Sequence, residues 1–249
     1  VTAAAAVERE VFDRVSAVRT RAAEAAARAG RPMDEITIVG ACKRQPVERI
    51  AAAVRAGIGA LGENYVQEAR DVKPRVEALL GGDTARPSWS LFGVLQRNKA
   101  KAALEIFDLI EAVDREKLVR ELDRRAAAAG RGPDDPFPLL VQVNLSREPQ
   151  KGGVLEEGLP GLLEACAPLQ AVRVIGLMTV PEAATDPEAS RPAFAQLREL
   201  RDRLRSSPGG AHLAELSMGM SADFEVAIEE GATRVRVGTA LFGARREGA

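Results

Sequence analysis

The stretch Ile38-Val39-Gly40-Ala41-Cys42-Lys43 is apolar until its last residue, a lysine set just before the turn Arg44-Gln45-Pro46. Strand side chains alternate between faces, so Lys43 shares a face with Val39 and Ala41 while Cys42 points the other way. If that face is the inside of a folded core, the amine sits in a partly desolvated mouth. Desolvation disfavours the ammonium form and leaves a nucleophile able to attack an aldehyde. A solvent-exposed lysine at a strand end is the plain alternative. Arg236 poses a related question, because it lies between Val235 and Val237 in an apolar run. A buried guanidinium needs an acceptor, from the protein or from a ligand. Gly238 and Thr239 follow, where backbone N–H groups and a hydroxyl can approach an anion. A tight turn beside a structural ion pair fits the same residues. In Leu216-Ser217-Met218-Gly219-Met220-Ser221, alternation puts Ser217, Gly219 and Ser221 together. Ser221 also precedes a helical segment, where it can cap the helix or donate to a phosphate. Asn64, in Gly62-Glu63-Asn64-Tyr65, offers a carboxamide at another strand end, with Glu63 and Tyr65 expected to face away.

These residues punctuate a regular alternation. Apolar, β-branched runs predict strands near 36–43, 60–64, 89–95, 109–114, 139–144, 172–180, 215–221 and 234–242. Most are too continuously apolar to keep one face in water, as in parallel strands covered by helices. Between them, Val47, Ile50, Ala51 and Val54, then Leu118, Leu122, Ala126 and Ala129, keep helical spacing and stop at Gly57 and Gly130. Phe194, Leu197, Leu200 and Leu204 repeat the pattern, as do Phe224, Ala227 and Ile228 before Gly231. Eight such alternations predict an α/β fold, a (β/α)8 TIM barrel, with a doubly wound open sheet as the alternative. A long helical segment, roughly 4–29, precedes the first strand and is expected to pack beside the seam between first and last strands. The expected organisation is one domain over 1–249, with 1–30 forming the N-terminal helix and the proline-bearing loops 133–138 and 181–192 lying inside the repeat.

Composition narrows the function. The chain has 249 residues, 46% hydrophobic and 29% charged, with net charge -1. No apolar run approaches the roughly 18 residues of a membrane span. The alanine-rich N-terminal segment, interrupted by Glu8, Arg9, Glu10, Asp13 and Arg14, lacks the pattern of a signal peptide. Near-neutral charge argues against nucleic-acid binding. Two distant cysteines, Cys42 and Cys166, and the single His212 leave little for a transition-metal site and suggest a cytoplasmic protein without structural disulfides.

In a barrel, the strand C-termini form the functional face, and the last two βα loops often bind phosphate. Lys43 on the first strand, Asn64 on the second and the Ser221, Gly238 and Thr239 groups on the last two would then meet at one mouth. An amine facing a phosphate cradle suits a phosphorylated aldehyde, of which pyridoxal 5'-phosphate (PLP) is the prime candidate. The ordered segments GACK, GENYVQEA, WSLFGVLQRNK, VQVNLSREPQKGG, IGLMTV and LSMGMSADFEVAIEEGATRVRVGTALFGAR resemble the pyridoxal phosphate homeostasis (YggS/PROSC) family, over nearly the whole chain from about residue 36. That family is similar to the barrel domain of alanine racemase standing alone. The resemblance implies PLP held as a Schiff base on Lys43, phosphate contacts from Ser221, Gly238 and Thr239, Asn64 near the cofactor, and Arg236 facing the pyridine nitrogen. A cation there disfavours protonation of the ring and weakens it as an electron sink. The racemase's second domain and its tyrosine base are also missing from the pattern, and Tyr65 does not match that role. The implied function is intracellular PLP homeostasis without robust turnover, with PLP-dependent apo-enzymes as partners. A racemase-like enzyme of low activity is the alternative, and a Schiff-base aldolase acting on a sugar phosphate is a third reading that the motifs disfavour. Two positions depart from the family pattern: Ser90 replaces the usual histidine after Trp89, and Cys42 replaces the usual serine before the lysine, where it is expected to pack against helices.

Overall fold

The computed structural model describes residues 3–82, 84–148, 150–182 and 185–244. The ends of the expected domain, at 1 and 249, lie outside these residues. The order is α1 (Ala3–Arg28), β1 (Thr37–Ala41), α2 (Val47–Arg55), β2 (Ala60–Glu63), α3 (Val66–Leu80), β3 (Ser88–Leu91), α4 (Ala100–Ile106), β4 (Leu109–Val113), α5 (Glu116–Ala128), β5 (Phe137–Gln142), α6 (Leu159–Cys166), β6 (Val172–Met178), α7 (Arg191–Leu204), β7 (Glu215–Met220), α8 (Phe224–Glu229), β8 (Arg234–Val237) and α9 (Thr239–Phe242).

The strands form a closed parallel barrel in sequence order. Closure is made by β1 and β8, which pair from Thr37 with Arg234 to Gly40 with Val237. The open-sheet alternative is therefore excluded. Leu109 and Leu140 belong to a small inner cluster with Ala112 and Met178. Their neighbours Ile110 and Leu139, paired across β4 and β5, join the large outer core between strands and helices. Both faces are thus covered, which is why the strands read as continuous apolar runs.

The N-terminal helix covers the seam from outside. Val11, Val15, Val18, Ala22 and Ala26 form its buried stripe, and it packs on α2, α8 and α9. Arg21 donates to both carboxylate oxygens of Glu225 at 2.7 and 2.9 Å, and Arg28 pairs with Glu229 at 2.7 Å. Arg31, just past α1, donates to the carbonyls of Ile228 in α8 and of Ala232 beyond its end. Partly exposed ion pairs contribute about 0–1 kcal/mol each. The small-residue stripe supplies most of the adhesion, and the arginines set its register. At the end of α2, Gly57 takes φ +101 while Ile58 N–H bonds back to the Ala53 carbonyl, a left-handed cap.

Seven of the eight expected strands are longer than the ladders found, and the fifth, expected over 139–144, is displaced by two residues to Phe137–Gln142. The largest correction concerns 234–242: β8 ends at Val237, and Thr239–Phe242 is a helical turn. The first expected strand likewise stops at Ala41, leaving Lys43 in a turn. Hydrophobic continuity marked the layer but not the point at which ladder bonds stop.

Candidate functional site at the strand C-termini

Past Ala41, Cys42 N–H still bonds to the Gly62 carbonyl at 2.8 Å, and Gln45 N–H closes a turn onto the Cys42 carbonyl. Within that turn Arg44 adopts φ +57, a left-handed conformation that is strained for a side chain with a Cβ. Lys43 emerges half-buried, and its Nζ lies 5.2 Å from the Tyr65 ring centroid. That distance is within the range of a cation–π contact. Tyr65, expected to face away, instead flanks the lysine. Cys42 packs into the outer core, and burial, followed by the Glu63 charge, raises its thiol well above the ordinary range.

β2 places its own end beside this turn, with Ala41 aligned to Gly62. Lys43 and Asn64 each lie two residues beyond that pair. Asn64 is half-buried. The chain at Gly93 runs so close to it that a Cβ on Gly93 would stand 2.0 Å from the Asn64 carbonyl oxygen. Glu63 is buried; its Oε2 accepts Asn64 N–H at 3.3 Å. Burial first, then the Glu68 charge, push its carboxyl up to about 8, with Asn64 N–H and Lys43 opposing.

On the other side of β1, Gly238 follows the last residue of β8. A Cβ there would meet Ala41 at 3.5 Å, so the Gly238 and Lys43 turns are neighbours. The N–H groups of Gly238 and Ala240 both donate to Ser221 Oγ, at 3.1 and 3.2 Å. Ser221 is therefore not the cap of α8. That helix begins at Phe224, and Asp223 instead accepts from Met220 N–H and Ser190 Oγ. The expected alternation of Ser217, Gly219 and Ser221 is also interrupted, because the β7–β8 register shifts between Ser217 and Met220 and Gly219 takes φ +89. Thr239 is exposed at the first position of α9.

Arg236 lies inside the barrel, 5% exposed. It donates to Ser217 Oγ at 2.7 Å and to the Thr179 carbonyl at 2.8 Å, and its guanidinium carbon is 5.8 Å from the Phe92 ring centroid. Burial disfavours its charge, and Glu111 is the main group opposing that. Ser217 in turn donates to Glu111 Oε2 at 2.5 Å. Arg234 Nε reaches the other Glu111 oxygen at 3.2 Å, and its NH2 group donates to Ser90 Oγ at 3.1 Å. One polar line thus crosses the barrel from β3 through β8, β4 and β7 back to β8.

Lys43, Ser221, Gly238 and Thr239 meet where β7, β8 and β1 end, Arg236 lies below them, and Asn64 stands on the adjacent loop. Sequence reasoning missed Glu63, Tyr65, Glu111, Thr179 and Arg234. Glu111 had a signal, since a carboxylate between Ile110 and Ala112 in an apolar strand is as anomalous as Arg236. A cavity of about 590 Å³ opens at the opposite end, where Thr37, Ser88 and Arg234 begin their strands. It lies away from the strand C-termini and from Lys43. Among the described residues, no three His, Cys, Asp or Glu side chains are grouped to hold a metal, and no helix is long and apolar enough to cross a membrane.

The alanine racemase N-terminal domain family matches residues 14–246, so fold and site define a barrel of the alanine racemase type. A pyridoxal phosphate homeostasis protein of Aquifex aeolicus is 43% identical over 234 residues, which cover 94% of this chain and 98% of that protein. Its counterpart in Pseudomonas aeruginosa is 38% identical over 239 residues, 96% and 97% of the two chains. PipY of Synechococcus elongatus, solved with PLP bound, superposes with a TM-score of 0.79 at 34% identity, covering 94% of this chain and 100% of its own. The chain belongs to the family of pyridoxal phosphate homeostasis proteins.

Proposed function

We propose that this single barrel domain binds PLP at the strand C-termini and serves intracellular PLP homeostasis, with Lys43 holding the cofactor's aldehyde as a Schiff base. The observation that carries this reading is the convergence of two backbone N–H groups, Gly238 and Ala240, on Ser221 Oγ beside the Lys43 turn. The three groups can turn toward a phosphate, and Thr239 adds a hydroxyl. Asn64 lines the other side of the mouth. Arg236 is held from behind by Ser217 and Thr179, so it presents a fixed cation to a ring nitrogen.

When bound, PLP supplies an aldehyde for reversible condensation with amines and a pyridine ring able to withdraw electrons. The chain's own residues limit the second property. A guanidinium at the ring nitrogen disfavours its protonation, which supports a carrier rather than an enzyme with robust turnover. The mouth faces solvent through half-buried Lys43, so PLP-dependent apo-enzymes in the cytoplasm are the fitting recipients. Both cysteines are buried and free, as suits that reducing compartment.

The test is borohydride reduction of protein loaded with PLP, followed by peptide mapping. A stable adduct on Lys43 is expected. Protein that takes up no PLP, or an adduct confined to other lysines, overturns the assignment. Incubating loaded protein with amino acids in deuterated water tests the carrier reading separately, since substantial α-proton exchange would replace it with enzymatic turnover.

A further inference from the structure

Ser221 depends on its neighbours for its position. A serine hydroxyl has one hydrogen and two acceptor positions. The N–H groups of Gly238 and Ala240 take both acceptor positions, at 3.1 and 3.2 Å, which leaves the hydrogen to be aimed at an anion. The aim is set by the turn that joins β7 to α8. Asp223 N–H donates to the Met220 carbonyl at 3.1 Å, and Asp223 Oδ1 accepts Met220 N–H at 2.7 Å. Ser221 and Ala222 thus lie inside a turn that Asp223 closes twice. The other carboxylate oxygen, Oδ2, accepts Ser190 Oγ at 2.8 Å. Asp223 is 6% exposed and Ser190 3%, so these bonds are made away from water. Asp223 stands at the N-cap of α8, yet its side chain makes no capping bond to that helix and reaches back to the strand instead.

We infer that Asp223, steadied by Ser190, is the positioning residue that aims the Ser221 hydroxyl, and that it thereby sets the preference of the mouth for a phosphorylated aldehyde over the same aldehyde without its phosphate. Asp223 acts through Ser221 and not on the ligand. The inference rests on the reading of the mouth as a PLP site.

The surroundings of the turn make it rigid. Ser190 ends the short helical turn Pro187–Ser190 that leads into α7. The next residue, Arg191, pairs with Glu229 at 2.7 Å and with Glu230 at 3.0 Å, at the far end of α8. The start of α7 is therefore fastened to both ends of α8. A Cβ on Gly219 would stand 2.5 Å from Ala227 Cβ and 3.0 Å from Phe224 Cα, so α8 packs directly on the end of β7. A carboxylate charge near a phosphate is repulsive. What the site takes from Asp223 is the placement of its hydrogen bonds, and asparagine can reproduce that placement: its Oδ1 accepts Met220 N–H, and its amide donates to Ser190 Oγ.

The experiment titrates the full chain with PLP and with pyridoxal, followed by absorbance. Pyridoxal keeps the ring and the aldehyde but lacks the phosphate, so it reports on the mouth without the cradle. In Asp223→Ala, PLP binding should weaken about tenfold, the loss of one hydrogen bond to a charged group, while pyridoxal binding stays within about twofold of the parent. Asp223→Asn should keep the PLP-to-pyridoxal preference within about threefold of the parent. Ser190→Ala leaves the bond to Met220 N–H in place and should lower the preference by about threefold; it carries the test if Asp223→Ala folds poorly. Equal weakening of both aldehydes in Asp223→Ala and in Ser190→Ala marks a merely structural role and overturns the inference, as does an unchanged preference in both. A parent that takes up no PLP sinks the reading of the mouth and this inference with it. A parent that takes up PLP while the preference stays fixed in the variants sinks this inference alone.

Discussion

Replacing Glu111 with glutamine should be among the most damaging isosteric changes in the barrel. Its carboxylate is fully buried, accepts from Ser217 Oγ at 2.5 Å and pairs with Arg234 Nε at 3.2 Å. Through Ser217 it also offsets Arg236. The network contains two guanidinium groups and one carboxylate, so glutamine leaves two interior cations with no anion between them. Removing one partner of a buried ion pair costs about 3–5 kcal/mol. Arg234 retains 13% side-chain exposure, and partial hydration there favours the low end, about 3 kcal/mol. For a chain of this size that corresponds to a fall in Tm of about 6–12 °C. Thermal and urea unfolding followed by circular dichroism measure it, and the urea midpoint should fall without a change in slope. A double-mutant cycle with Arg234→Met isolates the pair: the two changes together should cost at least about 1 kcal/mol less than the sum of the single costs. A Glu111→Gln protein that melts within 2 °C of the parent, or a cycle with no coupling, would refute the assignment of Glu111 as the charge that holds both arginines in the barrel.

Two further outcomes follow from the same mouth. Arg44 is exposed with φ +57, so Arg44→Gly relieves left-handed strain and should raise stability by about 0.5–1 kcal/mol after the added chain entropy of glycine; a loss above about 1 kcal/mol in urea unfolding would show that the side chain holds the turn. Glu63 has a folded-state value of about 8 against an ordinary 4.5, so between these values the folded chain binds more protons than the unfolded one. Its contribution is most favourable below about pH 4.5, erodes as pH rises and is lost through about pH 8. Glu63→Gln should therefore gain on the parent steadily from pH 5 to pH 8 in urea titrations, and parallel stability curves would contradict this.

The barrel was legible because burial on both faces of every strand leaves a signature no exposed sheet shares, and because helix ends such as Gly57 announce themselves. The ends of strands were not. Residues 238–242 are as apolar as the strand before them, yet the chain coils at Thr239 once Gly238 and Ala240 turn their N–H groups onto Ser221. That hydroxyl comes from the turn after β7 and cannot be read from local pattern. The same limit explains Tyr65: alternation assigns it outward, but alternation ceases to apply where β2 ends at Glu63. Arg236 was recognised as needing a partner, and its partners came from β7 and from Thr179 just past the end of β6, which only closure of the sheet brings within reach.

Lys43, Asn64, Ser221, Gly238 and Thr239 all lie one or two residues beyond a ladder. Such positions combine two conditions that neither a strand nor a free loop offers. The preceding strand fixes where the backbone emerges, as the Ala41–Gly62 and Gly40–Val237 pairings do. Freedom from the ladder releases N–H groups and side chains to point along the barrel axis instead of across it. Below them the interior is filled by Arg236, Ser217 and Glu111 rather than by apolar residues alone. The floor of the mouth is therefore charged, hydrogen-bonded and rigid, while its rim is made of short turns. An amine on such a rim can exchange partners with solvent, whereas a cation in such a floor cannot move to follow a reaction. That division of labour suits holding and releasing an aldehyde better than stabilising a carbanion derived from it.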